Sequence, residues 1–230
     1  RTEFEQLAAE VDDAVIASSS SFFWRTTLTG ALSISAGELM HLLHRPFQRV
    51  LGAAIALISL AAAAAPNATW GPEVGGRPLA GLTAQTVDGT TVELDALAAQ
   101  SEGLVIAFVR SADWCPFCKR QLIDLSKRHQ DFTERGLTLV SVSYDSTEIL
   151  GQFQERFEIA FALLSDPQSQ IIDAFGIRNE QHKPGSAGYG IPHPGIMVFD
   201  REGVLVLKFA EKGYRKRPKV DDVLAAVDAR

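Results

Sequence analysis

The chain has 230 residues, 46% of them hydrophobic, a formal net charge of −6 and a pI near 5.4. That length and apolar content suffice for the core of one or two domains. The acidic balance leaves no electrostatic basis for nucleic-acid binding, so no nucleic-acid partner is expected.

Residues 1–39 scatter acidic groups (Glu3, Glu5, Glu10, Asp12, Asp13) around a Ser18–Ser21 run and contain no motif, so they form an unassigned leader. From Met40 the character changes. His41–Arg49 is basic, and Val50–Ala65 is an uncharged run of Leu, Ile and Ala that ends in five alanines. A basic start, an apolar stretch and small residues suited to cleavage near Ala62–Ala65 make residues 40–65 a signal peptide. The run is shorter than the ~20 residues of a membrane span. A retained signal anchor through residues 50–65 is the second reading, and a buried core helix the third. An exported, periplasmic or otherwise extracytoplasmic location is therefore expected, and cleavage here would also remove residues 1–39 from the mature protein. Residues 66–76, rich in Pro and Gly, read as a linker, which leaves residues 77–230 as the folded domain.

Leu82–Val87, Asp88-Gly89 and Thr90–Leu94 form the strongest hairpin signal, with Asp-Gly suited to a type I′ turn. Leu104–Val109 is an apolar, β-branched run typical of a buried strand. It leads into Ser111-Ala-Asp-Trp-Cys-Pro-Phe-Cys-Lys119, which holds both cysteines of the chain. Phe117, Leu122, Ile123, Leu125 and Phe132 then repeat at helical spacing, predicting one helix from Cys115 to about Glu134. Cys115 is placed at its N-cap, Pro116 at the first helical position and Cys118 one turn in on the same side. The free amides of Phe117 and Cys118, with the helix dipole, are expected to favour a thiolate on Cys115. Its pKa should fall from ~8.5 to ~4–7. Cys115 is then the nucleophile and Cys118 the resolving thiol.

Leu137–Tyr144 predicts a second buried strand, Thr147–Phe157 a helix, Ala162–Leu164 a short strand and Gln168–Phe175 a helix. This alternation implies parallel strands with helices on the faces. Arg178–Pro194 is a long loop rich in Gly and Pro, of the kind that carries function or mobility. Gly195–Phe199, a turn at Asp200–Gly203 and Val204–Phe209 form a hairpin, and Val220–Val227 a closing helix.

A bare Cys-x-x-Cys also suits half of a zinc site. The five histidines (His41, His44, His129, His182, His193) supply no compact second pair, so no metal ligand is assigned. Two buried structural cysteines are the plainer alternative, but they leave the aromatic-Cys-Pro-aromatic-Cys turn unexplained. A strand before the motif and a helix after it favour redox chemistry.

Phe108–Leu125 with its Trp-Cys-Pro-Phe-Cys turn, Gly190-Ile-Pro-His-Pro-Gly195 and Phe199-Asp-Arg-Glu-Gly203 together resemble the redoxin branch of the thioredoxin suprafamily. More closely, residues 77–228 resemble the peroxiredoxin-like proteins of the alkyl hydroperoxide reductase/thiol-specific antioxidant (AhpC/TSA) group. The resemblance implies an α/β, thioredoxin-like fold: a central mixed β-sheet flanked by helices, with an N-terminal β-hairpin extension. It implies a cis-proline at Pro194, beside His193, facing the cysteines. It further implies a hydroperoxide or protein disulfide as substrate, an external thiol reductant and no cofactor. The peroxiredoxin frame Pro-x-x-x-Thr/Ser-x-x-Cys, ended on Cys118, has Ser111 in place of proline and Cys115 in place of the hydroxyl residue. Disulfide exchange needs neither.

Cys115 and Cys118 are thus the catalytic candidates, and Trp114, Pro116, Phe117, His193 and Pro194 the substrate-binding ones. Trp114 is expected to pack over the sulfur or to dock a partner, and His193 to orient the substrate or simply to be solvated. Arg110 is a supporting candidate expected mainly at the surface. Lys119 and Arg120 add modest positive potential, and Asp113 is a weak candidate for proton relay to Cys118. Arg215–Lys219 reads as a solvated basic loop. The rival from another class is a non-catalytic interaction domain that docks a partner through Arg178–Pro194.

Overall fold

Strand β3 (Gly103–Phe108) is buried along its whole length, because its two faces feed two different cores. Val105 and Ala107 face one apolar cluster, and Leu104, Ile106 and Phe108 face the other. Such a strand must lie at the centre of a sheet covered on both sides. The computed structural model, which describes residues 70–210 and 213–230, shows this arrangement. The leader, the signal-like segment and the start of the linker lie outside the described residues.

Seven strands form one sheet in the order β2-β1-β5-β4-β3-β6-β7. They are β1 (Thr83–Gln85), β2 (Thr91–Glu93), β3, β4 (Leu137–Ser143), β5 (Ala162–Ser165), β6 (Gly195–Asp200) and β7 (Leu205–Phe209). β3, β4 and β5 are parallel, as the alternation of strands and helices requires, whereas β6 runs antiparallel to β3. The expected hairpin extension is the edge of this sheet, since β1 also pairs with β5 at Gln85 and Ser165.

Helices α2 (Pro116–Lys127), α3 (His129–Glu134), α4 (Thr147–Phe157) and α6 (Val220–Asp228) supply Leu122, Leu125, Phe132, Leu150, Phe153, Val223 and Leu224 to the first cluster. Helices α1 (Leu94–Ala99) and α5 (Gln170–Ala174) supply Leu94, Ala98, Ile171 and Ile172 to the second. The sheet thus has a helical layer on each face.

Four local expectations are corrected. The Asp88-Gly89 turn is not type I′, because only Gly89 takes a positive φ (83°). Thr86 and Thr90 close a three-residue loop in which Gly89 N donates to Thr86 O and the Asp88 carboxylate accepts from Thr90 N. Leu94 begins helix α1 rather than ending a strand. The long helix after the dithiol divides at Arg128 (φ −110°, ψ 13°), whose guanidinium binds Asp131 and, at 2.6 Å, Asp221 of α6. The stretch from Trp70 to Gly76, read as linker, lies against β7: Gly75 N donates to Leu205 O, and the buried Lys208 ammonium donates to Pro72 O at 2.7 Å.

Candidate active site

The turn between β3 and α2 carries the dithiol, and its chemistry follows from how that turn is held. Cys115 caps α2 with extended backbone, Pro116 opens the helix, and the two cysteines form a disulfide with their Cα atoms 5.3 Å apart. Cys115 Sγ accepts a hydrogen bond from Cys118 N at 3.3 Å. Of the two amides expected at this sulfur, the one that reaches it is that of Cys118. Cys118 Sγ has two donors of its own: Arg110 N at 3.4 Å and Arg217 Nη2 at 3.6 Å. Positive charge and amide dipoles therefore gather at the second sulfur at least as much as at the first. Both side chains are buried, whereas the intervening Pro116 and Phe117 are exposed.

The loop before Cys115 is fixed from below by a carboxylate that sequence reading passed over. Asp145 lies just past the end of β4, beside the end of β3. Its carboxylate accepts from Ser111 Oγ (2.8 Å), Ala112 N (2.7 Å) and Ser143 Oγ (2.8 Å), and its carbonyl accepts from Ser165 Oγ. Ser111 Oγ in turn accepts from Asp113 N. Burial pushes the Asp145 carboxyl above the usual range, against the pull of the Ala112 amide and the two serine hydroxyls. Asp113 is exposed and so is not placed to pass a proton to buried Cys118. The buried carboxylate here is Asp145.

Around the dithiol the structure assembles an aromatic and cationic rim. Trp114 is 43% exposed, and its Nε1 donates to Tyr144 Oη at 3.0 Å. The Arg110 guanidinium lies over Trp114 (4.8 Å to the ring centroid) and over Tyr214 (4.3 Å). Arg110 is consequently half-buried rather than a free surface residue, and desolvation lowers its pKa. Phe117 meets Tyr214 edge-on at 5.8 Å. The basic stretch Arg215–Lys219 is not simply a solvated loop, because Arg217 turns inward to Cys118.

His193 and Pro194 lie where β6 begins, and β6 pairs Gly195 with Phe108 at the end of β3. Pro194 is buried. The His193 ring stacks on Trp70 at 5.6 Å, and its Nε2 lies 2.8 Å from Glu180 Oε2. His193 is thus engaged with the 178–194 loop and Trp70. Among the described residues no group of three or more His, Cys, Asp or Glu could hold a metal ion. Sequence reasoning missed Asp145, Arg217 and Tyr214.

A parallel β3–β4–β5 core, an antiparallel β6 after a buried proline and a dithiol at the start of α2 define a thioredoxin-fold redox protein of the peroxiredoxin-like class. The chain belongs to the AhpC/TSA family, whose model matches residues 76–208. A putative peroxiredoxin of Mycobacterium tuberculosis is 32% identical over 103 residues, which is 45% of this chain and 65% of that protein. The thiol-disulfide oxidoreductase ResA of Halalkalibacterium halodurans is 27% identical over 95 residues, covering 41% of this chain and 52% of that one. Among solved structures, the bacterioferritin comigratory protein of Xanthomonas campestris, described for its alkyl peroxide reduction, superposes with a TM-score of 0.57. It is 26% identical, and the match covers 68% of this chain and 96% of that one.

Proposed function

We propose that the protein is a dithiol oxidoreductase of the peroxiredoxin-like type, which reduces hydroperoxides or exchanges disulfides by cycling Cys115 and Cys118. The observation that carries this reading is the Cys115–Cys118 disulfide at the start of α2, with Arg110 N and Arg217 directed at Cys118 Sγ. In the oxidative half, the Cys115 thiolate attacks a hydroperoxide oxygen. The O–O bond breaks, the alcohol leaves with a proton, and the sulfur becomes a sulfenic acid. The Cys118 thiolate then attacks that sulfur, water departs and the disulfide forms. A protein disulfide serves in the same way through a mixed disulfide that Cys118 resolves. In the reductive half, an external thiolate attacks Cys115 and Cys118 leaves as a thiolate. A second external thiol completes the reset, so two external thiols are oxidised for each substrate reduced.

Exchange without peroxidase activity is the second reading. Cys115 occupies the position, three residues before Cys118, where the peroxiredoxin frame carries a hydroxyl, and a ResA protein is among the relatives. Stopped-flow mixing of the reduced protein with hydrogen peroxide separates the two. Oxidation no faster than that of a free thiol removes the peroxide reading and leaves exchange, which reduction of insulin disulfides then tests. Export through residues 40–65, with or without retention as an anchor, belongs to the same proposal, and N-terminal sequencing of the protein from fractionated cells tests it.

A further inference from the structure

Several arginines among the described residues pair with aspartates: Arg128 binds Asp131 and Asp221, Arg135 binds Asp228, and Arg178 binds Asp173. Arg110 differs from these arginines. Its guanidinium lies between the faces of Trp114 and Tyr214, its Nε is buried without a hydrogen-bond partner, and it forms no ion pair among the described residues. A cation over a ring face is held by the ring quadrupole, which leaves its in-plane N–H donors unspent. A partly desolvated guanidinium of this kind gains most from a planar anion that accepts two of those donors at once.

Three of the exposed large hydrophobic side chains, Trp114, Phe117 and Tyr214, stand at this same place at 43%, 36% and 40% exposure. They give the cation apolar walls suited to an organic body. The backbone N of Arg110 is bonded to Cys118 Sγ, so an anion on its guanidinium lies within one side chain's reach of the reacting sulfurs.

We propose that Arg110, between Trp114 and Tyr214, binds the carboxylate of a small organic substrate and presents the rest of that molecule to the dithiol. The inference rests on the dithiol-oxidoreductase reading and names its substrate class. Two sources share this chemistry: the hydroperoxide of a carboxylic acid, on the oxidising side, and a carboxylate-bearing thiol, on the reducing side.

The primary test does not depend on turnover. In the Cys118→Ser protein, Cys115 is the single thiol, and its thiolate displaces iodide from either iodoacetate or iodoacetamide. The ratio of the two rates reads the anion site and cancels any change in thiol reactivity. Arg110→Gln should lower the iodoacetate-to-iodoacetamide ratio about tenfold, as loss of a charge-assisted contact implies. Arg110→Lys, which keeps the charge and loses the planar fork, should fall between. Butyrate should slow iodoacetate labelling only when Arg110 is present. An unchanged ratio in Arg110→Gln, or no protection by butyrate, overturns the proposal.

Two substrate arms in the full chain then assign the source. One compares linoleic acid hydroperoxide with its methyl ester in oxidising the reduced protein. The other compares 3-mercaptopropionate with its amide in reducing the disulfide. An Arg110-dependent preference for the acid in either arm supports the site and identifies its ligand, and no preference in both arms overturns it. Failure of all peroxide and disulfide turnover, with the alkylation ratio still dependent on Arg110, would instead sink the oxidoreductase reading and leave the carboxylate site standing.

Discussion

Arg217 Nη2 lies 3.6 Å from Cys118 Sγ, although the two residues are 99 positions apart in the chain. The loop after β7 thus returns a cation to the second sulfur of the dithiol, where Arg110 N already donates. A cation at this distance stabilises the thiolate and hence the reduced form. In a Cys115→Ser background, Arg217→Gln should raise the Cys118 pKa by about one unit, corresponding to about 1.4 kcal/mol. Thiolate absorbance or the pH profile of iodoacetamide labelling measures this shift. In the two-cysteine protein the same change should make the reduction potential more negative by about 30 mV, because the disulfide loses less than the thiolate. Equal pKa values with and without the guanidinium would make the contact incidental.

The roles assigned to the two thiols predict an asymmetry in trapping. Cys118→Ser should stop the cycle at the mixed disulfide between Cys115 and an external thiol, visible as a stable adduct by intact mass. Cys115→Ser should give little adduct, because Cys118 lies inside the first turn of α2, whereas Cys115 stands at its start between the exposed Trp114 and Pro116. Adducts accumulating on Cys118 instead would exchange the roles of nucleophile and resolving thiol.

The parts of the site that were legible in the sequence are those fixed by near neighbours. The Cys-Pro-Phe-Cys turn, the β-branched run before it and the helical spacing after it each act over one or two turns of chain, and α2 and β3 follow from them. Arg217 was not legible, because a short basic run reads as solvated until the fold returns it to a sulfur far away in sequence. Asp145 carried a weak signal, an acid directly after a buried parallel strand, where sites on such sheets gather. The surroundings of His193 were not legible either. Its position beside Pro194 suggested either contact with substrate or a solvated ring, and neither reading contained the stack with Trp70, a residue of the segment taken for linker. The break at Arg128 depends on Asp221 of α6, which local periodicity does not contain.

If His193 serves as a strut between Trp70 and Glu180, its loss should touch stability more than chemistry. His193→Gln should leave the alkylation rate of Cys115 within about twofold, and removing the ring stack should cost about 1 kcal/mol. Urea denaturation and iodoacetamide kinetics on the same samples check both. A tenfold change in thiol reactivity would return His193 to the reacting centre.

Asp145 joins β4 to the dithiol loop, and Asp145→Ala would leave Ser111 Oγ, Ser143 Oγ and Ala112 N without their common acceptor. The expected loss is about 2–4 kcal/mol, from buried groups stripped of partners. The pH dependence has a definite sign. Burial holds the folded carboxyl above its unfolded value, so the folded chain binds more protons over that interval. Stability from this group is greatest below the unfolded aspartate pKa of about 3.9 and declines as pH rises toward the folded value. Asp145→Asn should remove that decline, so the difference in urea midpoint between the two proteins should change with pH across the acid range and then level. A pH-independent difference would mean that the three donors balance burial, and a difference of the opposite slope that they outweigh it.

Gly195 connects the proline loop to the dithiol through backbone alone. It pairs with Phe108 at the end of β3, and a Cβ there would lie 2.6 Å from Phe209 O and 2.8 Å from the Trp70 ring. The carbonyl belongs to β7 and cannot swing aside as a flexible side chain would, so Gly195→Ala must shift β6 against β7 and also displace the Trp70 ring. Overpacking of this kind costs about 2–3 kcal/mol. The displacement should also reach Arg110, two residues after Phe108, and Cys118 through the Arg110 N–Sγ bond. Thermal denaturation should therefore show a lower Tm, and the reduced variant should label with altered kinetics at Cys118. A normal Tm would mean that the β6–β7 pairing and the Trp70 ring both yield at no cost, and would count against the close approach at Gly195.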